Sequence, residues 1–286
     1  MSTPRGERVW FITGCSSGFG RAVAVEALRL GERVIGTLRR REQLPDFEAL
    51  APGRAHALQL DVTQSEQIEP AVTAAFARYG QIDVLFNNAG YGLLGAIEET
   101  SASEARAIFE TNFFGTLLVT QAALPHLRQQ RNGHILNMSS GAGLRAVPGL
   151  GLYSASKFAV EGLSEALAAE VAAHGIKVTL IEPGAFKTGF PTGGLVESKR
   201  KLEAYAAITG RGARGVQEWY AQAGEPQGAA EAILAVVDSP APPLRLVLGA
   251  DALAGARDKL EQLRSNFDAW ETLSRASVAP RRAGDQ

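Results

Sequence analysis

One cysteine, Cys15, stands in a chain of 286 residues. That excludes an internal disulfide framework and any Cys-rich zinc site. Histidine is nearly as scarce: His56, His126, His134 and His174 are scattered, with no pair at metal-ligand spacing, so no metal is expected. An excess of one charge is also missing. With 29 basic and 30 acidic residues the formal charge is −1, so no global positive field exists to hold nucleic acid or an anionic membrane. No apolar run approaches the roughly 18 residues that a bilayer crossing needs. The short run Val9-Trp10-Phe11-Ile12 near the N-terminus cannot serve as a signal-peptide core. These absences predict a cytoplasmic protein whose partner is a small molecule, with neither nucleic acid nor membrane.

What the chain does have is 31 glycines and a strong rhythm. Short apolar runs at Val9–Thr13, Arg33–Thr37, Ala55–Leu60, Ile82–Phe86, His134–Met138, Val178–Ile181 and Leu244–Leu248 read as buried strands. Helical patterns lie between them at 19–30, 64–79, 101–130, 153–174 and 227–238, with a weaker one at 42–50. Strands alternating with helices predict βαβ units and a doubly wound α/β fold, with about seven parallel strands in one domain over 1–250. Residues 185–226 break the rhythm and are punctuated by Gly193, Gly194, Gly210, Gly212, Gly215 and Gly224, as in a lid or binding loop. From Asp251, read as its cap, a long helix is expected over 251–278, followed by a disordered polar tail at 279–286. Leu253, Leu260 and Phe267 interleave with Ala256, Leu263 and Trp270 to give that helix a single apolar stripe.

The first strand runs into Thr13-Gly14-Cys15-Ser16-Ser17-Gly18-Phe19-Gly20 and then a helix. Glycines there let the backbone approach a pyrophosphate, which the N–H groups and dipole of the following helix attract. After the second strand, an NAD site would carry an Asp or Glu for the ribose hydroxyls. This chain has Arg39-Arg40-Arg41 instead, with no carboxylate before Glu42. A guanidinium pairs with a 2′-phosphate that a carboxylate would repel, so Arg39 predicts NADP(H) in preference to NAD(H). Asp61, after the third strand, is placed to accept from the adenine amino group or to cap the next helix.

Tyr153 and Lys157 are four residues apart and share one helix face. A free phenol titrates near 10, and a neighbouring cation lowers that value toward what a general acid/base needs. Ser140 ends the fifth strand, where its hydroxyl can donate to a substrate carbonyl. Asn112 interrupts a helical pattern in which a polar amide is a poor helix former, within the apolar run Phe113–Leu118.

Thr13-Gly14-x-x-x-Gly18-x-Gly20, Asn87-Asn88-Ala89-Gly90, Asn112, Ser140, Tyr153-x-x-x-Lys157 and Pro183-Gly184 follow one another in order. Over about residues 7–250 the sequence therefore resembles the short-chain dehydrogenase/reductase family, and within it the hydroxysteroid- and retinol-dehydrogenase-like members. The resemblance implies a Rossmann-fold oxidoreductase moving hydride between nicotinamide and a carbonyl or alcohol. It implies Tyr153 as general acid/base, Lys157 lowering its pKa and holding the ribose, Ser140 orienting the substrate oxygen and Asn112 completing a proton relay. Cofactor contacts are expected from Gly14, Ser16, Ser17, Gly18, Phe19, Gly20, Arg39, Asp61, Val62, Asn88, Ala89, Gly90, Pro183, Gly184 and Thr188, besides Tyr153 and Lys157. Ser17 departs from many NADP-dependent relatives, which are basic there, so the 2′-phosphate contact rests on the arginines. Substrate contacts are expected from Ser140, Tyr153, Phe186 and Phe190. Tyr91, Leu93, Leu144, Val147, Leu150, Trp219 and Tyr220 are further lining candidates, a mostly apolar set that suits a hydrophobic ketone or secondary alcohol. The family's habits also imply a homodimer or homotetramer. A non-catalytic NADP-binding regulator of the same fold is the alternative, but such a protein would be expected to lack Tyr153 or Lys157.

Overall fold

The structure, a computed structural model, describes residues 7–188, 194–209 and 223–277. Phe190, Trp219, Tyr220 and the tail at 279–286 lie outside the described residues. Strand β1 (Val9–Ile12) is wholly buried. It lies inside a parallel sheet covered on both faces, which is why its residues are apolar without alternation. Around it run β2 (Arg33–Leu38), β3 (Ala55–Gln59), β4 (Val84–Asn87), β6 (Gly133–Met138), β7 (Ile176–Pro183) and β9 (Arg245–Leu248). The sheet has seven strands in the order β3-β2-β1-β4-β6-β7-β9, every pair parallel.

The helices are α1 (Gly18–Arg29), α2 (Leu44–Glu48), α3 (Ser65–Tyr79), α4 (Ala102–Phe109), α5 (Gly115–Gln130), α6 (Gly151–Val171), α7 (Pro226–Asp238) and α8 (Ala250–Ala276). Successive side chains of β1 point to opposite faces. Trp10 and Ile12 meet Val23, Ala24 and Ala27 of α1 and Ile233 and Leu234 of α7. Val9 and Phe11 meet Ile68 and Val72 of α3, Val119 and Ala123 of α5, and Leu167 and Val171 of α6. Fully burying one such side chain stabilises the fold by about 1.5–3 kcal/mol. The chain order reverses between β1 and β4, and the crevice at the carboxyl ends of those neighbours is where such sheets bind ligands.

Three features differ from the sequence expectation. The pattern at 101–130 is not one α-helix, because a π turn, Glu110–Phe114, separates α4 from α5 and carries Asn112. Part of the 185–226 insertion is paired and hydrogen-bonded to the body of the chain rather than irregular. Its β8 (Leu195–Glu197) pairs in parallel with β5 (Gly92–Leu94). Beyond that pairing the Lys199 amide donates to Glu104 at 2.9 Å and the Leu202 amide to the buried Glu99 at 2.8 Å. Asp251 does not cap α8: Gly249 holds that position, and Asp251 Oδ2 accepts from the Ala185 amide at 3.0 Å.

The apolar stripe of α8 is left largely uncovered. Leu260, Phe267, Trp270 and Leu273 are each more than 60% exposed, and every residue from 264 to 277 is exposed.

Candidate active site

A cleft of about 1110 Å³ opens along the carboxyl edge of the sheet. At one end lies the glycine loop between β1 and α1. Gly14 and Gly18 take φ of +73° and +61°, a region side chains avoid. Gly20 is required for a different reason, since a Cβ there would press into the Asn88 amide and the Gly14 carbonyl. Asn88 is committed to this loop: Nδ2 donates to the carbonyls of Thr13 and Gly14 at 2.9 and 3.0 Å. The Thr13 hydroxyl accepts from the amides of Asn88 and Ala89. Ser17 precedes α1 with extended backbone and makes no side-chain cap, so the first turn of the helix opens toward the cleft. Ser16, Ser17, Gly18 and Phe19 line it.

Arg39 and Arg40 line the same cleft with Gln43, and Arg39 is exposed there. Asp61 and Val62 form the adjoining wall. Asp61 is not the cap of α3. Its Oδ1 accepts from the Thr63 amide at 3.0 Å and the Thr63 hydroxyl at 2.8 Å. Ala89, Gly90, Pro183 and Thr188 complete the lining, with Thr188 beside Gly18. Gly184 sits behind this wall against the Asp251 carboxylate. A cradle without side-chain bulk, a helix N-terminus and two guanidinium groups at one end suit a phosphorylated dinucleotide.

Tyr153 and Lys157 also line the cleft and are buried. Burial pushes the Tyr153 phenol above its usual range, and a hydrogen bond from the Ser140 hydroxyl opposes that rise. Ser140 Oγ also accepts from the Ala142 amide at 3.1 Å. Lys157 Nζ lies 5.9 Å from the Tyr153 ring centroid and donates to the Met138 carbonyl at 2.8 Å. Burial lowers its pKa to about 8, with Glu161 acting in the opposite sense. In this arrangement Ser140 rather than Lys157 is what opposes the rise of the phenol.

Asn112 joins the group from the π turn. Its Oδ1 accepts from the Tyr91 amide, and its Nδ2 donates to the Tyr91 carbonyl and the Ser156 hydroxyl, all at 3.0 Å. Gly90 separates it from Lys157: a Cβ there would stand 3.0 Å from Asn112 Oδ1 and 3.4 Å from Lys157 Nζ.

At the substrate end the lining includes Tyr91, Leu93, Ala107, Thr111 and Val196, with Glu104, Glu110, Glu197 and Lys199 around them. This end is more polar than the sequence suggested. Phe186 is not in the lining, because its ring meets Phe19 edge to face at 5.3 Å and packs on the core. Leu144, Val147 and Leu150 are also absent from it.

Sequence reasoning missed one cluster behind Lys157. The Ser139 hydroxyl donates to Glu161, and Arg245 Nε lies 3.2 Å from Glu161 and 3.5 Å from Glu182. The available signal was a glutamate, Glu182, inside the otherwise apolar Leu180–Pro183 run.

The chain matches the short chain dehydrogenase family over residues 8–193. It is 39% identical over 273 residues to an oxidoreductase of Botryotinia fuckeliana, covering 95% of this chain and 99% of that one. It is 38% identical over 243 residues to a 3-ketodihydrosphingosine reductase of Bacteroides thetaiotaomicron, covering 85% and 88%. A short-chain dehydrogenase from Streptomyces avermitilis has a similar structure, with TM-score 0.90, 44% identity and coverage of 96% and 100%. Two similar structures contain cofactors. One is a Burkholderia phymatum short-chain dehydrogenase/reductase with NAD (TM-score 0.80, 26% identity, coverage 91% and 95%). The other is ElxO with NADP (TM-score 0.73, 27% identity, coverage 87% and 99%).

Proposed function

The chain belongs to the short-chain dehydrogenase family of oxidoreductases acting on CH–OH and carbonyl groups, and on that premise we propose an NADP(H)-dependent enzyme with Tyr153 as general acid/base. Its substrate is a hydrophobic ketone or the matching secondary alcohol. The observation that carries this reading is the contact between Ser140 and the buried Tyr153 phenol, in the same cleft that ends at Arg39. Residues 1–250 are the catalytic domain, with 185–226 as its substrate loop.

When bound, the dinucleotide supplies or accepts hydride. Gly14, Ser16, Ser17, Gly18, Phe19 and Gly20 hold its pyrophosphate, and Arg39 takes the 2′-phosphate. Asp61, Val62, Asn88, Ala89 and Gly90 border the adenosine side, with Pro183, Gly184 and Thr188 toward the nicotinamide. The raised pKa of Tyr153 keeps its proton in place until a substrate oxygen needs it, which suits a proton donor in carbonyl reduction. As that proton leaves, the Ser140 hydroxyl stabilises the phenolate that remains, and the nearby Lys157 cation adds to it. Lys157 also holds the ribose, and Asn112 steadies the Gly90–Tyr91 wall beside it.

Tyr91, Leu93 and Val196 support an apolar substrate, with the glutamates and Lys199 fitting a polar portion at the mouth. The relative named for 3-ketodihydrosphingosine supports a ketone. The uncovered stripe of α8 supports a homo-oligomer, dimer or tetramer, with a second copy on that stripe. Among the described residues no helix is long and apolar enough to cross a membrane.

The test is ketone-dependent oxidation of NADPH, followed by loss of nicotinamide absorbance across aliphatic and aromatic ketones. Turnover with hydrophobic ketones is expected. NADPH binding without turnover on any of them would favour a non-catalytic regulator.

A further inference from the structure

Glu161 lies one turn after Lys157 on α6, and Glu182 lies immediately before Pro183 on β7. Glu182 is completely buried and Glu161 is 6% exposed. Among the described residues no hydrogen-bond donor reaches either Glu182 oxygen. The cation beside them is Arg245 on β9, whose Nε lies 3.5 Å from Glu182 Oε1 and 3.2 Å from Glu161 Oε2. The same guanidinium also binds the exposed Glu165 at 2.7 Å. One shared cation cannot compensate two buried carboxylates, and two such groups side by side do not both ionise. A carboxylic acid at Glu182 removes the conflict, because its O–H then donates to Glu161. Burial, with the charge of Glu161 added, pushes Glu182 up to about 8.

The groups facing the pair come from every element around it. Lys157 and Glu165 are on α6, Arg245 is on β9, and the Ser139 hydroxyl, which donates to Glu161, immediately follows β6. Each member of the cluster thus sits next to a proposed functional group. Ser139 precedes Ser140, Glu161 follows Lys157 by one turn, and Glu182 precedes Pro183.

We propose that Glu161 and Glu182 form one positioning unit, which holds a single proton between two carboxyl groups and leaves one negative charge beside Lys157. The unit ties the Ser140 turn, α6 and the Pro183 stretch together while keeping the lysine an ammonium. It rests on the reading that Lys157 and Ser140 serve hydride transfer. Glutamine has the shape of a protonated glutamate, so Glu182→Gln keeps the donor to Glu161 and keeps the charge. Glu161→Gln combined with Glu182→Gln keeps the hydrogen-bonding shapes but removes the charge.

The experiment follows the Lys157 Cε resonance against pH in 13C-lysine protein, assigned with Lys157→Arg. Glu182→Gln should leave the Lys157 midpoint where it is in the parent. The double variant should move it to lower pH by about one pH unit. NADPH binding should then weaken at a correspondingly lower pH. A downward move in Glu182→Gln alone would mean that both carboxyls are ionised, and would overturn the proposal. An unmoved midpoint in the double variant would overturn it too, since a cluster that only packs would behave that way. If the double variant does not fold, Glu161→Gln alone, which leaves the charge on β7, should move the midpoint in the same direction by less, and no movement there refutes the unit. A parent that binds no NADPH would defeat the functional reading, while the lysine titration still decides this proposal.

Discussion

Lys157 Nζ donates to the Met138 carbonyl at 2.8 Å, so the cation proposed to serve the cofactor also fastens α6 to the end of β6. Tyr153, one turn earlier, meets Ser140 through its phenol. Replacing the two residues should therefore have different consequences. Tyr153→Phe should reduce turnover by about 10²–10⁴-fold with NADPH binding largely kept. Lys157→Ala should lose rate, NADPH affinity and thermal stability together. Near-parental turnover in Tyr153→Phe would exclude the phenol as proton donor.

Arg39 should decide the cofactor. NADPH should bind the parent more tightly than NADH, and Arg39→Asp should invert that order by replacing a phosphate ligand with a repelling charge. Fluorescence titration with both cofactors measures it. Equal affinities in the parent would refute the assignment.

Acid should weaken the fold through His134. The Thr179 hydroxyl donates to the Pro243 carbonyl at 2.7 Å, so it accepts from His134 Nε2 at 2.9 Å, and among the described residues Nδ1 has no hydrogen-bond partner. Burial lowers this imidazole to about 3, against an ordinary value near 6.5. The unfolded chain therefore binds the proton first. Stability from this site is complete above about pH 6.5 and is lost progressively as pH falls toward 3, by about 2 kcal/mol at pH 5. Urea unfolding at pH 7 and 5 should show a smaller difference in His134→Gln than in the parent.

The wall made by 194–209 should be ordered without ligand. The Ser198 amide donates to the Leu94 carbonyl at 2.8 Å, besides the bonds of Lys199 and Leu202 to Glu104 and Glu99. Slow hydrogen exchange is expected at these three amides in the free protein. Glu99→Ala should accelerate Leu202 while β6 stays protected. Fast exchange at all three in the parent would contradict the wall.

Removing everything after Gly249 should alter assembly. Light scattering at micromolar concentration should find the parent as a dimer or tetramer and the truncated chain smaller or unstable. A monomeric parent defeats the oligomer, whereas unchanged assembly after truncation removes only α8 from the contact.

The seven strands of the main sheet were legible because each is a short apolar run closed by Gly, Asp, Asn or Pro. β5 and β8 were not, since three residues apiece carry no period and Val196 and Glu197 are exposed. Tyr153, Lys157, Ser140 and Asn112 were legible as chemistry at recognisable spacing, and the structure brings Ser140 to Tyr153 and Asn112 close to Lys157. Phe186 lies outside the cleft lining, and an aromatic next to a cleft and an aromatic under it look alike in sequence. Glu161 and Glu182 stayed hidden for the opposite reason: a glutamate normally signals solvent, and only the packing of α6 on β7 reveals two of them sharing an interior. Asp251 had the position of a cap but a closer partner in the Ala185 amide.

The π turn at Glu110–Phe114 amounts to one surplus residue wound into an otherwise continuous rod. Everything after it is rotated by about 100° relative to an unbroken α-helix, the angle one residue occupies. Deleting a single residue from the turn would let α4 and α5 fuse into a smoother and locally more regular helix. The gain in regularity would unscrew the Asn112 amide from Tyr91 and Ser156 and swing α5 off the sheet face it covers. The irregular helix works as a fixed gear ratio between the mouth of the cleft and the core, and a length change that improves the rod disengages it.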